Sequence, residues 1–303
     1  MSTSSAISVT GLTKRYGERL ALDHATFDVP KGSVCGFVGP NGSGKTTTIR
    51  MLLSLITPTD GSGTVLGEKI SHPEKYLSRV GAMIEGPAFY PALSGAENLK
   101  MLATLGGFPH ERVGELLELV GLSDRAKSKY KQYSLGMKQR LGIAAALLPK
   151  PELLILDEPT NGLDPAGIHE VRTLLRSLAD GGITVFVSSH LLSELEQISD
   201  HLVMLREGKM IFSGATEALL AAQQPTVIAR TLNDSDLPRL IEIAKSAGHE
   251  GVIFDGAVHV IANDDWASEF NTLVFAQGLT LASLTAVRPT LEETFFEMTG
   301  DTK

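Results

Sequence analysis

Cysteine is almost missing from this chain, which holds one, Cys35, in 303 residues. A single thiol excludes an internal disulfide, and no second cysteine stands at metal-ligand spacing from it. Cys35 lies in the apolar run VCGFVG, so it reads as a buried, reduced thiol rather than a redox centre. No apolar run approaches the roughly 18–20 residues that a membrane-spanning helix needs. The start, MSTSSAISVTG, lacks a basic end followed by an apolar stretch, so no signal peptide is read and the chain is expected in the cytosol. A basic surplus is also lacking: 27 Lys and Arg against 35 Asp and Glu give a formal net charge of −8. That balance argues against a general nucleic-acid binder, while leaving room for a local basic site. Neither tandem repeats nor low-complexity tracts are found. With 43% apolar and 20% charged residues, the chain has the material for an ordinary folded core.

Over its first two hundred residues the chain alternates short apolar strands with helical patterns, the rhythm of a layered α/β domain. SVCGFVG (33–39) reads as a buried strand running into a glycine loop, followed by a helix over TTTIRMLLSLI (46–56). LLILDEP (153–159) is a second buried strand, ending in two acids, and ITVFVSSH (183–190) a third, ending in a histidine. Residues ~91–149 read as a mainly helical insertion, with apolar spacing near 3.6 in SGAENLKMLATLG and ERVGELLELVGL. HLVMLREGKMIFSG is a strand pair turning at Glu207-Gly208, and AAQQP (221–225) a linker. Residues 226–288 then follow the order strand, helix, strand, strand, helix, strand, the split βαβ pattern of a ferredoxin-like unit. The helices there are marked by Leu237, Leu240, Ile241 and Ala244, then by Trp266, Phe270, Leu273 and Val274, and Gly256 is read in the turn between the middle strands. Two domains are therefore expected, 1–220 and 226–303.

Three segments carry chemistry. GPNGSGKTT, from Gly39 through Pro40, Asn41, Gly42, Ser43, Gly44, Lys45 and Thr46 to Thr47, matches G-x-x-x-x-G-K-[ST] between a predicted strand and a predicted helix. Glycines let backbone N–H groups curl around phosphate oxygens, and the helix N-terminus adds positive potential. Lys45 can reach the β and γ phosphates, and the Thr46 hydroxyl can ligate Mg²⁺. Asp157 and Glu158 end a buried strand, where an acid is expensive unless it meets a cation. Asp157 would serve the metal ion, directly or through water, and Glu158 would orient and polarise an attacking water. Ser134 reads as the N-cap of the amphipathic helix in YSLGMKQRLGIAAALL (133–148).

That last stretch resembles the ABC signature sequence, usually written LSGGQ, with Ser134 standing 23 residues before Asp157. Taken with the other motifs in their order over residues ~7–215, the chain resembles the ATP-binding subunits of ABC transporters. The resemblance implies an α/β P-loop NTPase core with an antiparallel β subdomain, a helical insertion and a small C-terminal α+β domain. It also implies Tyr16 as the aromatic that stacks on adenine, Asp164 in NGLDP at a dimer contact, and His190 as the switch histidine at the γ phosphate. Ser134 and Gly136 are the retained part of the signature, whereas Leu135 and Met137 replace a glycine and the glutamine. A second departure is Glu85, which stands where the family usually has the Q-loop glutamine. A carboxylate can still ligate Mg²⁺ but adds negative charge near the γ phosphate. Glu85 with the following P-x-F-Y-P is similar to the ATPases of bacitracin- and lantibiotic-type exporters, as is the closing RPTLEETFFEMTG.

By that resemblance two copies, or one copy and a near relative, enclose ATP and Mg²⁺ between one P-loop and the partner's signature helix. Such a pair drives a permease carried on a separate membrane chain, and lies bound to the inner face of the cell membrane through it. The expected cargo class is a drug or antimicrobial peptide, exported. Alternatives from other classes are an ATP-sensing regulatory subunit and a non-transport ABC ATPase acting on DNA or ribosomes. The absence of coiled-coil insertions, zinc modules and a second ATPase unit weighs against the latter.

Overall fold

The computed structural model describes residues 4–86, 88–221, 225–288 and 290–299. The chain divides into two compact units, Met1–Thr216 and Glu217–Lys303. The expected linker at 221–225 falls largely on residues 222–224, outside the described residues.

The first unit contains β1 (Ser5–Tyr16), β2 (Arg19–Pro30), β3 (Val34–Val38), β4 (Asp60–Val65), β5 (Glu68–Lys69), β6 (Val80–Met83), β7 (Leu153–Asp157), β8 (Thr184–Ser189), β9 (His201–Arg206) and β10 (Lys209–Ala215). They lie in the order β5-β4-β1-β2-β10-β9-β3-β8-β7-β6. Strands β9, β3, β8, β7 and β6 all pair in parallel, and every residue of β3, β7 and β8 is buried. Continuous apolar runs belong in such strands because helices cover both faces of a parallel sheet. At the other end, β1, β2, β4 and β5 form an antiparallel layer, joined to β10 through a single pair, Lys209 with Asp23. Phe27, Phe37 and Phe186 tie the two parts together, with ring centroids 4.9–6.3 Å apart. Cys35 is fully buried in this core, where desolvation raises its thiol pKa far above the ordinary range.

The helices of this unit are α1 (Lys45–Leu52), α2 (Gly95–Gly106), α3 (Glu111–Leu119), α4 (Leu135–Ala146), α5 (Pro165–Asp180) and α6 (Leu192–Glu196). Helix α1 stops earlier than the apolar pattern to Ile56 predicts. Ser54 takes a left-handed φ of 56°, and the Leu55 N–H returns to the Arg50 carbonyl, which closes the helix. Helices α2, α3 and α4 form the expected insertion between β6 and β7. Helix α2 opens on a capping box: Glu97 N–H donates to Ser94 Oγ, and Ser94 N–H donates to Glu97 Oε2. Hydrogen bonds to the Glu97 carboxyl from Ser94, its backbone N–H first and its side chain second, hold that carboxyl below its usual pKa.

Helix α7 (Thr216–Ala221) carries the chain across the division. The second unit runs β11 (Thr226–Thr231), α8 (Leu237–Ser246), β12 (Gly251–Phe254), β13 (Ala257–Ile261), α9 (Trp266–Ala276), β14 (Leu281–Val287) and α10 (Leu291–Thr299). Its antiparallel sheet has the order β12-β13-β11-β14. Alternate residues Val227, Ala229, Val258 and Val260 turn to one face and share a core with Leu240, Ala244, Phe270 and Val274 of the two helices. Asp255 and Gly256, both with positive φ, make the tight turn between β12 and β13.

Strand β6 passes close under the end of α4. A Cβ on Gly81 would lie 2.1 Å from the Ala146 carbonyl oxygen, which is backbone and has no rotamer to yield. Gly81→Ala is therefore expected to lower stability by about 1–3 kcal/mol. Urea unfolding checks this, because a midpoint equal to the parent's would contradict the close approach.

Candidate active site

Because β3, β8 and β7 are neighbours and parallel, their carboxyl ends share one edge of the sheet. The glycine loop leaves β3, Asp157 ends β7, and His190 follows β8 there. Open α/β sheets hold their ligands at this edge.

The loop is shaped by two close backbone approaches. A Cβ on Gly39 would meet the Leu205 carbonyl oxygen at 2.3 Å, and one on Gly44, at φ 108°, the Ala21 carbonyl oxygen at 2.5 Å. Ser43 N–H donates to the Pro40 carbonyl at 3.1 Å, and the Gly208 N–H to the Ser43 carbonyl at 3.1 Å. Helix α1 starts directly behind, with no side-chain cap and no acid in its first turn, so its N-terminal N–H groups remain available to an anion. The Ser43 hydroxyl oxygen is buried without a hydrogen-bond partner among the described residues. The loop borders a cleft of about 520 Å³, lined also by Tyr16, Arg19, Thr47, Arg50 and Glu158. Tyr16, at the end of β1, is half-exposed and carries Lys14 Nζ 5.2 Å above its ring.

Charge at this edge is closely partnered. Lys45 is 6% exposed; its Nζ donates to the Gly39 carbonyl at 2.6 Å and lies 3.1 Å from Glu158 Oε1. Thr46 Oγ1 donates to Asp157 Oδ2 at 2.8 Å, and Ser188 Oγ donates to Asp157 Oδ1 at 2.6 Å. Glu158 N–H in turn donates to Ser188 Oγ at 3.0 Å. Glu158 has a left-handed φ of 50°, an uncommon backbone for a glutamate. His190 Nδ1 lies 2.7 Å from Glu158 Oε2. An ionised carboxylate only accepts, so the proton of this contact sits on Nδ1.

The remaining site residues read from sequence lie elsewhere. Ser134 caps α4 by accepting from Met137 N–H, and Asp164 caps α5 by accepting from Gly167 N–H. With Gly136 they line a second cleft of about 490 Å³, which shares no lining residue with the first. Glu85, also with positive φ, is exposed and ion-paired with Arg50, and through that pair it is joined to the first cleft.

Sequence reading missed Arg19 and Arg50 as cleft residues, and Ser188 as the hydroxyl shared by the two acids. Ser188 had a signal: it stands two residues before His190 at the end of a buried strand, where a hydroxyl needs a partner.

The ABC transporter family's sequence model matches residues 22–161. The chain is 41% identical over 300 residues to the bacitracin transport ATP-binding protein BcrA of Bacillus licheniformis, covering 98% of each. It is 43% identical over 205 residues to the lantibiotic transport ATP-binding protein SrtF of Streptococcus pyogenes, covering 68% of this chain and 89% of that one. Among solved structures it is similar to cbiO1 from Clostridium perfringens, part of the ABC transporter complex cbiONQ. That match has a TM-score of 0.66 and 26% identity, over 72% of this chain and 91% of the other.

The close approach at Gly44 generates a test. Gly44→Ala places a side chain at φ 108° against backbone, a strain of about 1–3 kcal/mol that distorts the loop. Titration with a fluorescent ATP analogue is expected to show affinity reduced at least tenfold, and parental affinity would contradict the described loop.

Proposed function

This chain belongs to the ABC transporter family, and we propose that it dimerises around ATP and powers a permease carried on a separate membrane chain. Members hydrolyse ATP as part of transport, and this chain is an ATPase subunit of that kind. The observation that carries the finer reading is the division of the motifs between two clefts. The phosphate loop and Glu158 line one, with Asp157 bonded to Thr46 and His190 to Glu158; Ser134, Gly136 and Asp164 line the other. A second copy, or a related ATPase, presenting its signature cleft to this loop would complete the site from both sides.

ATP would lie with adenine on the Tyr16 ring and its phosphates in the loop Gly39-Pro40-Asn41-Gly42-Ser43-Gly44, against Lys45, Thr46 and Thr47. The glycine cradle, the unpartnered Ser43 hydroxyl and the uncapped α1 fit a phosphate chain. Mg²⁺ fits the oxygen pair of Thr46 and Asp157, 2.8 Å apart, since the ion takes few protein oxygens and completes its shell from phosphate and water. Bound there, the ion supplies positive charge for the β and γ phosphate oxygens. Glu85 would join this set only by exchanging Arg50 for the metal.

Glu158 is the proposed base. Both its oxygens are engaged, Oε1 by Lys45 and Oε2 by His190. A phosphate entering the loop competes for the Lys45 ammonium, which frees Oε1 to accept a proton from the attacking water. His190 keeps Oε2 fixed, so the base holds its direction while its partner changes. Hydrolysis removes the γ phosphate that both copies grip, and the pair opens.

Among the described residues no helix is long and apolar enough to cross a membrane. We place the chain on the cytoplasmic face of the membrane, held there through its permease. The names of its relatives support a peptide antibiotic or similar drug as cargo, with export as the direction.

Glu158→Gln is expected to keep ATP affinity within about twofold and to lower turnover at least a hundredfold. Gel filtration in ATP should then show a stable dimer, whereas unchanged hydrolysis would overturn the assignment. Glu85→Gln is expected to shift the Mg²⁺ dependence of turnover, and an unaltered profile would count against a metal-facing role.

A further inference from the structure

A buried acid outside the sequence motifs links the two segments that carry Glu158 and His190. Glu194, on α6, is 6% exposed. Thr160 Oγ1 donates to its Oε2 at 2.6 Å, and Ser189 Oγ approaches the same oxygen at 3.5 Å. Its other oxygen, Oε1, is buried without a hydrogen-bond partner among the described residues. Burying a carboxylate is unfavourable, and a neutral side chain would fill this space more cheaply. What a carboxylate oxygen supplies here is an acceptor for donors on two different chain segments.

Those segments are the ones that matter. Thr160 belongs to the loop after β7: the Asn161 N–H donates to the Glu158 carbonyl, and the Leu163 N–H to the Thr160 carbonyl. Ser189 precedes His190, and the Leu191 N–H donates to Ser189 Oγ at 3.0 Å. The two segments already meet at the strand ends, through Ser188 and the Asp157–Glu158 pair. Thr160–Glu194 is a second tie farther along, and two ties fix an angle where one leaves a hinge. The quantity so fixed is the approach of His190 to Glu158, at 2.7 Å.

We propose that Glu194 is a positioning residue for ATP hydrolysis: through Thr160 and Ser189 it holds the loop of Glu158 and the segment of His190 in the register that lets histidine orient the base. The inference rests on the roles proposed above for Glu158 and His190. It also reaches the second cleft, because the loop that Thr160 anchors runs on to Asp164.

The test is steady-state hydrolysis by the full chain, at a concentration where turnover has saturated, with melting curves for every variant. Glu194→Ala is expected to lower kcat at least tenfold while KM for ATP stays within twofold. Glu194→Gln, which keeps an acceptor oxygen, should recover most of the loss. Thr160→Val, nearly isosteric, should reproduce the alanine variant's loss, and it carries the test if Glu194→Ala fails to fold. In a His190→Ala background, Glu194→Ala should add less than twofold, whereas a merely structural part would add its whole loss. Parental kcat in Thr160→Val, or full additivity with His190→Ala, overturns the proposal. If Glu158→Gln abolishes turnover and the Glu194 and Thr160 variants do not lower it, this inference alone fails. If Glu158→Gln hydrolyses ATP normally, the reading beneath it fails first.

Discussion

Two adjacent carboxylates at the end of a strand buried on both faces are the constraint from which this site is built. Asp157 is itself buried, and Glu158 follows it with a strained backbone. Such a pair persists only where partners over-determine it. The Thr46 hydroxyl, Ser188 hydroxyl, Lys45 ammonium and His190 ring supply those partners, from the phosphate loop on one side and the end of β8 on the other. Each is also a group the proposed reaction uses or positions. Stabilising the folded state and arranging the chemistry are thus met by the same contacts.

The parallel sheet makes this economical. Strands β3, β8 and β7 are neighbours, so a loop, a histidine and an acid pair far apart in the chain arrive at one edge. Flat pairing is not enough by itself. The glycine loop must pass within contact distance of the Leu205 and Ala21 carbonyls, which only residues without a Cβ permit. The antiparallel layer of β1 and β2 therefore shapes the loop, through Ala21, as well as presenting Tyr16.

The signature segment is organised by helix capping. Ser134 and Asp164 each hold the first turn of a helix through a neighbouring N–H. This keeps Gly136 and the NGLDP loop in a defined opening. A hydroxyl that caps a helix leaves lone pairs and its own proton for a ligand, so the cap and the proposed grip on a partner's nucleotide are compatible.

Sequence alone determined the apolar strands, the phosphate loop with its lysine and threonine, the acid pair, the capped signature helix and the strand–helix order of both units. Each of these is written in local spacing: a run of buried residues, a glycine interval, a cap followed by a 3.6 period. Tertiary structure decided the rest. The end of α1 at Ser54, the hydroxyl of Ser188 between two acids, the pairing of Glu85 with Arg50 and the tie of Glu194 to Thr160 join residues 30 to 35 positions apart or depend on a backbone angle. Side-chain chemistry at such distances is set by strand order and register, which follow from packing the whole sheet. A motif names the groups a site can use; only the fold decides which of them touch, and which stand in separate clefts.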